Sequence, residues 1–331
     1  MRVWWWAGAL LGAALVALLA AKPEWMLEAE YARLRWLVGA EEHTLEAADH
    51  RWSYLEAGPA GAPLIVLVHG LSGNKESWLP LIRHLRGEFR VIAMDLAGWN
   101  ESSREPGADY GIAAQAARLA GFIEALDTPP ALLAGHSMGG HIAGLLAADR
   151  PDLVPRLALL SSAGVRFRDN DFTRALAAGE FPYAVTDRAS LHRFLGLVFT
   201  RPPFLPWPAD LALARQRRAN LEFEREVLAQ VSSEAEAYLL QSRLRDLVMP
   251  VGLVWCRDDK VIDVSAGLFL SAALPQSWLV LLDGCGHMPQ WSEPVATAAA
   301  LARFARADSL SSIGAPRTDV VSAARATDSG G

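Results

Sequence analysis

Three short stretches carry residue types that can do chemistry together. The first, Leu132 to Arg150, reads LLAGHSMGGHIAGLLAADR: an apolar run ends in Gly135-His136-Ser137-Met138-Gly139-Gly140 and passes at once into an alanine- and leucine-rich segment. The second, LVWCRDDKVIDVS, holds Asp258 and Asp259, and the third, LLDGCGHMPQWSEP, holds His287. A serine hydroxyl is a poor nucleophile until a histidine takes its proton, and that histidine needs a carboxylate to fix its tautomer. Taken alone, Gly-x-Ser-x-Gly also fits an ordinary glycine-rich turn. The partners decide, because serine, aspartate and histidine follow one another in chain order, each just past an apolar run. Of the eight histidines, His43, His50, His84 and His192 stand in plain polar surroundings, while His136 and His141 flank the serine as packing or supporting residues. His287 is the base.

The same turn supplies an electrophilic partner. A strand that bends sharply into a helix brings two backbones close, so Gly135 and Gly139 are required for steric reasons. The N–H of Met138 then opens the helix and points at any anion that develops beside Ser137. The stretch His69-Gly70-Leu71 ends an earlier apolar run, and Leu71 N–H is the expected second donor. Each such donor lowers a barrier by roughly 3 kcal/mol. His69 itself reads as a structural residue of the turn.

Positioning these groups takes a sheet. Short apolar runs at Pro63–Gly70, Phe89–Asp95, Ala131–Ser137, Arg156–Ser162, Val251–Cys256 and Ser277–Gly284 alternate with helical segments such as Ile112–Leu126, which stops before Thr128-Pro129-Pro130. Strands that are apolar on both faces and alternate with helices imply a mostly parallel sheet covered on both sides. His43–Ala47 and Arg51–Gly58 read as a leading hairpin of period two. Between about Gly164 and Asp246 no strand run occurs. Helical stretches and the proline-rich Phe199–Ala212 segment fit a helical cap over the strand ends. The core then spans 43–163 and 247–306, and the cap 164–246.

Bulk properties narrow the function classes. The 331 residues are 52% hydrophobic with a net charge of -6. No basic stripe with interleaved aromatics is present, so nucleic acid is not an expected partner. The two cysteines, Cys256 and Cys285, form no disulfide framework and no metal spacing, and free thiols are the default reading. From Val3 to Ala21 the chain carries no charge and has Trp4, Trp5 and Trp6 at one edge and Trp25 beyond the other. That length, about 19 residues, suits a membrane-spanning anchor, with a cleaved signal segment as the rival reading. Residues 23–42 form a juxtamembrane helix that lies on a membrane or packs on the domain's own core. Residues 307–331 are small, polar and unpatterned, and are expected to be disordered.

With these residues in hand, the chain from about Arg51 to Arg306 resembles the α/β-hydrolase superfamily, on the stretches HGLSGNKESW, MDLAGWNESS, GHSMGG, WCRDDKVIDVS and GCGHMPQWSEP. It also resembles the membrane-anchored monoacylglycerol lipase-like branch, through an N-terminal anchor, the HG-x-x-x-x-K-x-x-W run, the D-x-V-x-D-V-S run and the GCGH loop. The resemblance implies an α/β-hydrolase fold and makes Asp259, not Asp258, the acid. Two departures stand out. The loop Asp95-Leu96-Ala97-Gly98-Trp99-Asn100-Glu101-Ser102 lacks the family's proline and second glycine. Cys256 stands where a glycine is common, at a strand end neighbouring that of Cys285, so contact between the two is open.

The expected reaction is acyl transfer to water through an acyl-enzyme on Ser137, with His287 as base, Asp259 as orienter, and Leu71 and Met138 as oxyanion donors. It needs no metal and no organic cofactor. A serine nucleophile argues against the haloalkane dehalogenases and epoxide hydrolases of the fold, which use aspartate there. Phe194, Leu195, Leu197, Val198, Phe199, Phe204, Leu205 and Trp207 in the cap favour a long acyl chain, and so a monoacylglycerol-like or lysolipid ester. Three alternatives stay open. A carbon–carbon hydrolase of ring-cleavage products is similar through the Ser-Met-Gly-Gly elbow and Trp291. The others are a cofactor-free perhydrolase and a non-catalytic, membrane-bound binding module.

Overall fold

The computed structural model describes residues 21–307 and 318–321. Helix α1 (Glu24–Val38) opens it and ends at Gly39, whose left-handed φ of 60° lets its N–H close back on Arg35 and Trp36 carbonyls. Strands β1 (Glu41–Ala47) and β2 (His50–Ala57) form the leading hairpin, turning on Ala48 and Asp49, both at positive φ. There follow β3 (Leu64–Val68), α2 (Leu79–Leu85), β4 (Arg90–Met94), α3 (Ile112–Glu124), β5 (Leu132–His136), α4 (Met138–Asp149) and β6 (Leu157–Leu160). Helices α5 (Asp171–Ala177), α6 (Arg188–Val198), α7 (Ala209–Ala219), α8 (Leu221–Val231) and α9 (Leu239–Ser242) fill the cap. The chain returns through β7 (Val251–Cys256), α10 (Ser265–Ala273), β8 (Ser277–Leu282), α11 (Pro289–Ser292) and α12 (Pro294–Arg306), and a last strand, β9, spans Thr318–Val321.

The sheet order is β1-β2-β4-β3-β5-β6-β7-β8-β9. Only β1 with β2 and β2 with β4 pair antiparallel; every later neighbour is parallel. Alternation along β3 explains the two cores. Leu64, Val66 and Val68 join one face, with α3 and α4 residues such as Leu119 and Ile142. Ile65 and Leu67 join the other, with Leu79 and Ile82 of α2 and Leu301 and Phe304 of α12. Each fully buried side chain of this size stabilises the fold by about 1.5–3 kcal/mol before entropy is counted. Helix α4 has no polar face: residues Met138 to Ala148 are all buried, because it runs between the sheet and the cap.

Three readings of the sequence change. The segment ending at residue 42 runs two residues into β1, which begins at Glu41. Cys256 and Cys285 are not free thiols but a disulfide, with Cα atoms 5.4 Å apart. Their spacing carries no signal, yet β7 and β8 are adjacent parallel strands, so both chain segments emerge side by side. Residues 307–331 are not wholly without structure, since Thr318–Val321 pair in parallel with Leu279–Leu282. An uncovered strand edge offers free N–H and C=O groups to such a β-branched segment; the remainder, 308–317 and 322–331, lies outside the described residues. The proposed span lies outside them too, apart from Ala21, and among the described residues no helix is long and apolar enough to cross a membrane. Helix α1 packs on the domain through Leu27 and Val38, which are buried, and Glu24 pairs with Arg215 of α7.

Candidate active site

Ser137 sits between the end of β5 and the first residue of α4 with φ 54° and ψ -122°. A non-glycine residue there is strained by roughly 1–3 kcal/mol and persists only where its surroundings over-determine it. Its neighbours do so by close approach. A Cβ on Gly135 would stand 2.3 Å from the Gly139 carbonyl oxygen, and one on Gly139 would stand 2.3 Å from that of His69. Gly140 N–H and His141 N–H both donate to the Ser137 carbonyl, while Met138 N–H, first in the helix, has no intrahelical acceptor by position.

The structure brings together the three side chains that the sequence singled out. The Ser137 hydroxyl donates to His287 Nε2 at 2.9 Å. His287 Nδ1 donates to Asp259 Oδ2 at 2.9 Å and approaches Oδ1 at 3.1 Å. Asp259 Oδ1 also accepts from the N–H groups of Val261 and Ile262. A carboxylate opposite Nδ1 requires the proton there, which leaves the Nε2 lone pair facing the hydroxyl. All three residues are buried, whereas the neighbouring Asp258 is exposed. The disulfide joins the end of β7, three residues before Asp259, to a position two residues before His287.

Leu71 belongs to a loop, 70–74, that passes directly beside Ser137: a Cβ on Gly70 would meet the serine Cβ at 2.8 Å. The start of the loop is held by His69. Leu96 N–H donates to His69 Nε2 at 2.9 Å, so Nδ1 carries the proton and donates to the Gly70 carbonyl at 2.8 Å. Burial lowers the His69 pKa, which keeps the ring neutral for this double duty. The end of the loop is held by Lys75. Its Nζ lies 3.0 Å from Asp95 and 3.0 Å from Glu42 and also pairs with Glu101, and its N–H donates to Asp95 Oδ1. Burial opposes the Lys75 charge, but Asp95 and these carboxylates outweigh it and raise its pKa. Asn100 Nδ2 donates to the same Asp95 carboxylate, so the atypical loop keeps its anchoring.

Sequence reasoning placed His136 beside the serine as a packing or supporting residue without its partner, and it missed several other partnerships. His136 Nε2 donates to the His287 carbonyl at 2.7 Å, and burial beside that second imidazole pushes its pKa well down. Adjacency to the serine was the signal. The partnerships of Lys75 with Glu42, and of the cap residues Arg217 and Glu224 with the 70–74 loop, had no local signal.

A cavity of about 640 Å³ reaches His287, His136 and Leu71. Phe194, Leu195, Val198, Phe199 and Leu205 of the cap line it, together with Met26, Leu27 and Tyr31 of α1. Helix α7 and the residue that caps it contribute Ala209, Leu213, Gln216, Arg217 and Asn220 to the lining. Among the described residues no group of His, Cys, Asp or Glu is arranged to hold a metal ion.

Comparison with known proteins agrees with this architecture. The family model for the alpha/beta hydrolase fold matches residues 63–294. A bovine (Bos taurus) protein named monoacylglycerol lipase ABHD6 is 28% identical over 312 residues, covering 90% of this chain and 93% of its own. Lipase 1 of Psychrobacter immobilis is 28% identical over 253 residues, covering 74% of this chain and 77% of its own. Among solved structures, a membrane phospholipase A described as a bacterial virulence factor is 32% identical, covers 93% of this chain and 100% of its own, and superposes with a TM-score of 0.82. The carbon–carbon alternative gains only a shared fold, since a meta-cleavage product hydrolase is 20% identical with a TM-score of 0.65. The chain therefore belongs to the alpha/beta hydrolase fold family, resembles its monoacylglycerol lipase-like members, and is a carboxylic ester hydrolase.

Proposed function

We propose that the protein hydrolyses esters of single-chain glycerolipids, monoacylglycerol first among them, through an acyl-enzyme on Ser137. The observation that carries the reading is the hydrogen-bonded line Ser137–His287–Asp259, whose His287 lines a largely apolar cavity that also presents amide side chains. In the first half-reaction His287 Nε2 takes the Ser137 proton as Oγ bonds to the ester carbonyl carbon. The carbonyl oxygen becomes an oxyanion that receives the N–H groups of Leu71 and Met138. Collapse breaks the carbon–oxygen bond to the alcohol, which leaves with the proton from Nε2. Water then repeats the sequence on the acyl-enzyme and releases the fatty acid, with Asp259 holding the imidazolium each time.

The substrate class follows from shape and polarity. The cap residues Phe194, Leu195 and Phe199 offer an apolar surface for one acyl chain, and Gln216, Asn220 and Asn100 offer amides to glycerol hydroxyls. Relatives named monoacylglycerol lipase and phospholipase A act on glycerol esters by name. We further infer that the uncharged stretch Val3–Ala21 directs or anchors the enzyme at a membrane. Trp36 of α1 and Phe204 beside the cavity, 79% and 88% exposed, support contact with lipid.

The test is release of glycerol from monoacylglycerols of graded chain length by protein lacking residues 1–22, with Ser137→Ala as control. Turnover that peaks at medium or long chains and vanishes in the variant supports the reading. Turnover confined to short soluble esters overturns the lipid assignment. No ester turnover, with hydrolysis of a coloured ring-cleavage dienoate instead, overturns the ester reading itself.

A further inference from the structure

The 70–74 loop is anchored at its start by His69 and at its end by Lys75, both core residues. Its middle is held from outside the core. Ser72 stands at φ 63°, in the left-handed region that a serine occupies only under constraint. Its hydroxyl donates to Glu224 Oε2 of α8 at 2.5 Å, and its carbonyl accepts from an Arg217 terminal nitrogen of α7 at 3.1 Å. The same Arg217 nitrogen pairs with Glu224 Oε1 at 3.1 Å, and the other terminal nitrogen donates to the Tyr183 carbonyl at 3.1 Å. Both the polar side-chain atom and the carbonyl of Ser72 are therefore occupied by the cap, across 152 and 145 residues of sequence.

We propose that the Arg217–Glu224 pair is a latch by which the docked cap positions the Leu71 amide for the oxyanion. This inference rests on the acyl-enzyme reading above. Burying an ion pair is a poor route to stability, because desolvation offsets most of the attraction and an apolar pair of equal size serves as well. Both partners are buried here. What an apolar pair does not supply is direction: a fork that fixes a carbonyl and a carboxylate that fixes a hydroxyl, one residue from Leu71. The latch fixes the carbonyl and side chain of Ser72, and through this next residue it steadies the Gly70–Leu71 peptide that carries the Leu71 N–H; a donor misplaced by about 1 Å loses most of its effect. A second seam works with it, since His287 N–H donates to the Val198 carbonyl at the end of α6. The cap thus touches the oxyanion loop on one side of Ser137 and the His287 backbone on the other. Arg217 and Glu224 are positioning residues that act through Ser72.

The test uses the full-length chain with Arg217→Met, Arg217→Lys, Glu224→Gln and Ser72→Ala. Steady-state kinetics on p-nitrophenyl butyrate, whose short acyl chain makes little use of the cap, are compared with inhibition by a trifluoromethyl ketone. That ketone adds Ser137 to form a hemiketal oxyanion. Arg217→Met should lower kcat by about 10- to 100-fold with KM within about threefold, and weaken the ketone by the factor lost in kcat/KM. Arg217→Lys, which keeps one charge but not the fork, should recover part of the loss, and Ser72→Ala should lose about 3- to 10-fold. Should Arg217→Met fail to fold, Ser72→Ala decides, since it removes one oxygen atom. Folded variants with unchanged kcat and ketone affinity overturn the latch, as does a rise in KM alone, which would make Arg217 a pocket residue only. An unreactive wild-type enzyme, or activity that survives Ser137→Ala, overturns the underlying reading instead.

Discussion

His136 Nε2 donates to the main-chain carbonyl of His287 at 2.7 Å, so the residue before the serine holds the backbone of the histidine that bonds the serine. The two rings also lie with centroids 4.8 Å apart. The β5 turn therefore carries one partner of the Ser137–His287 bond and a brace for the other. Replacing His136 by Phe keeps an aromatic ring but leaves a buried carbonyl unpaired, at a cost of about 1–3 kcal/mol. Urea unfolding should show that loss, and kcat should fall with it as His287 shifts. A variant unchanged in both would remove His136 from the account.

Asp259 and Asp258 separate cleanly by environment. Asp259 is buried against His287 Nδ1, while Asp258 is exposed. Asp259→Asn should favour the wrong imidazole tautomer and reduce kcat by roughly 10³- to 10⁴-fold. Asp258→Asn should change kcat by less than about twofold. Comparable losses from both would mean that the carboxylate is not acting at Nδ1.

The Cys256–Cys285 bridge closes a loop with a sequence separation of 29. A loop of that size restricts the unfolded chain by about 3–4 kcal/mol on the chain-entropy account. Paired Cys256→Ala and Cys285→Ala substitutions should lower Tm by about 5–15 °C. Alkylation of the denatured, unreduced protein followed by intact mass measurement should add no label, and two labels after reduction. Labelling without reduction would show free thiols instead.

Stability should fall as the medium turns acidic. Burial lowers the pKa of His69, His136 and His141, the last to about 3, from an ordinary value of 6.5. The contribution is fully present above about pH 6.5. Below it the unfolded chain takes up protons that the folded chain refuses, at up to about 1.4 kcal/mol per pH unit for each histidine. Urea midpoints measured from pH 8 to pH 5 should drop below pH 6.5. His141→Gln, whose carbonyl oxygen can accept the Leu240 N–H that His141 Nε2 accepts, should flatten that slope by about one proton. Burial raises the Glu76 pKa to about 7, which offsets part of that slope, so a slope left unchanged by His141→Gln would show that this ring is not buried neutral.

How much of this was legible without coordinates depends on the range over which each feature is encoded. Ser137, Asp259 and His287 could be read because each lies just past a parallel strand that announces itself as a short apolar run with a turn signal behind it. Parallel strands bring such ends to one side, so chain order alone gathers the three. Gly135 and Gly139 were equally legible, since a close strand-to-helix approach leaves no room for a Cβ and shows as glycine. The helical content of 164–246 could be read from the absence of strand patterning. Tertiary structure alone decided the rest. That Cys256 meets Cys285 follows from the adjacency of β7 and β8, which neither spacing nor composition encodes. The short strand Thr318–Val321 depends on an edge supplied by β8. The charges on Lys75, Glu42, Arg217 and Glu224 look in sequence like those of any solvated surface. Local patterns specify which backbone a segment adopts, but burial of a charge is specified by partners up to 152 residues away, and only the packed chain brings those together.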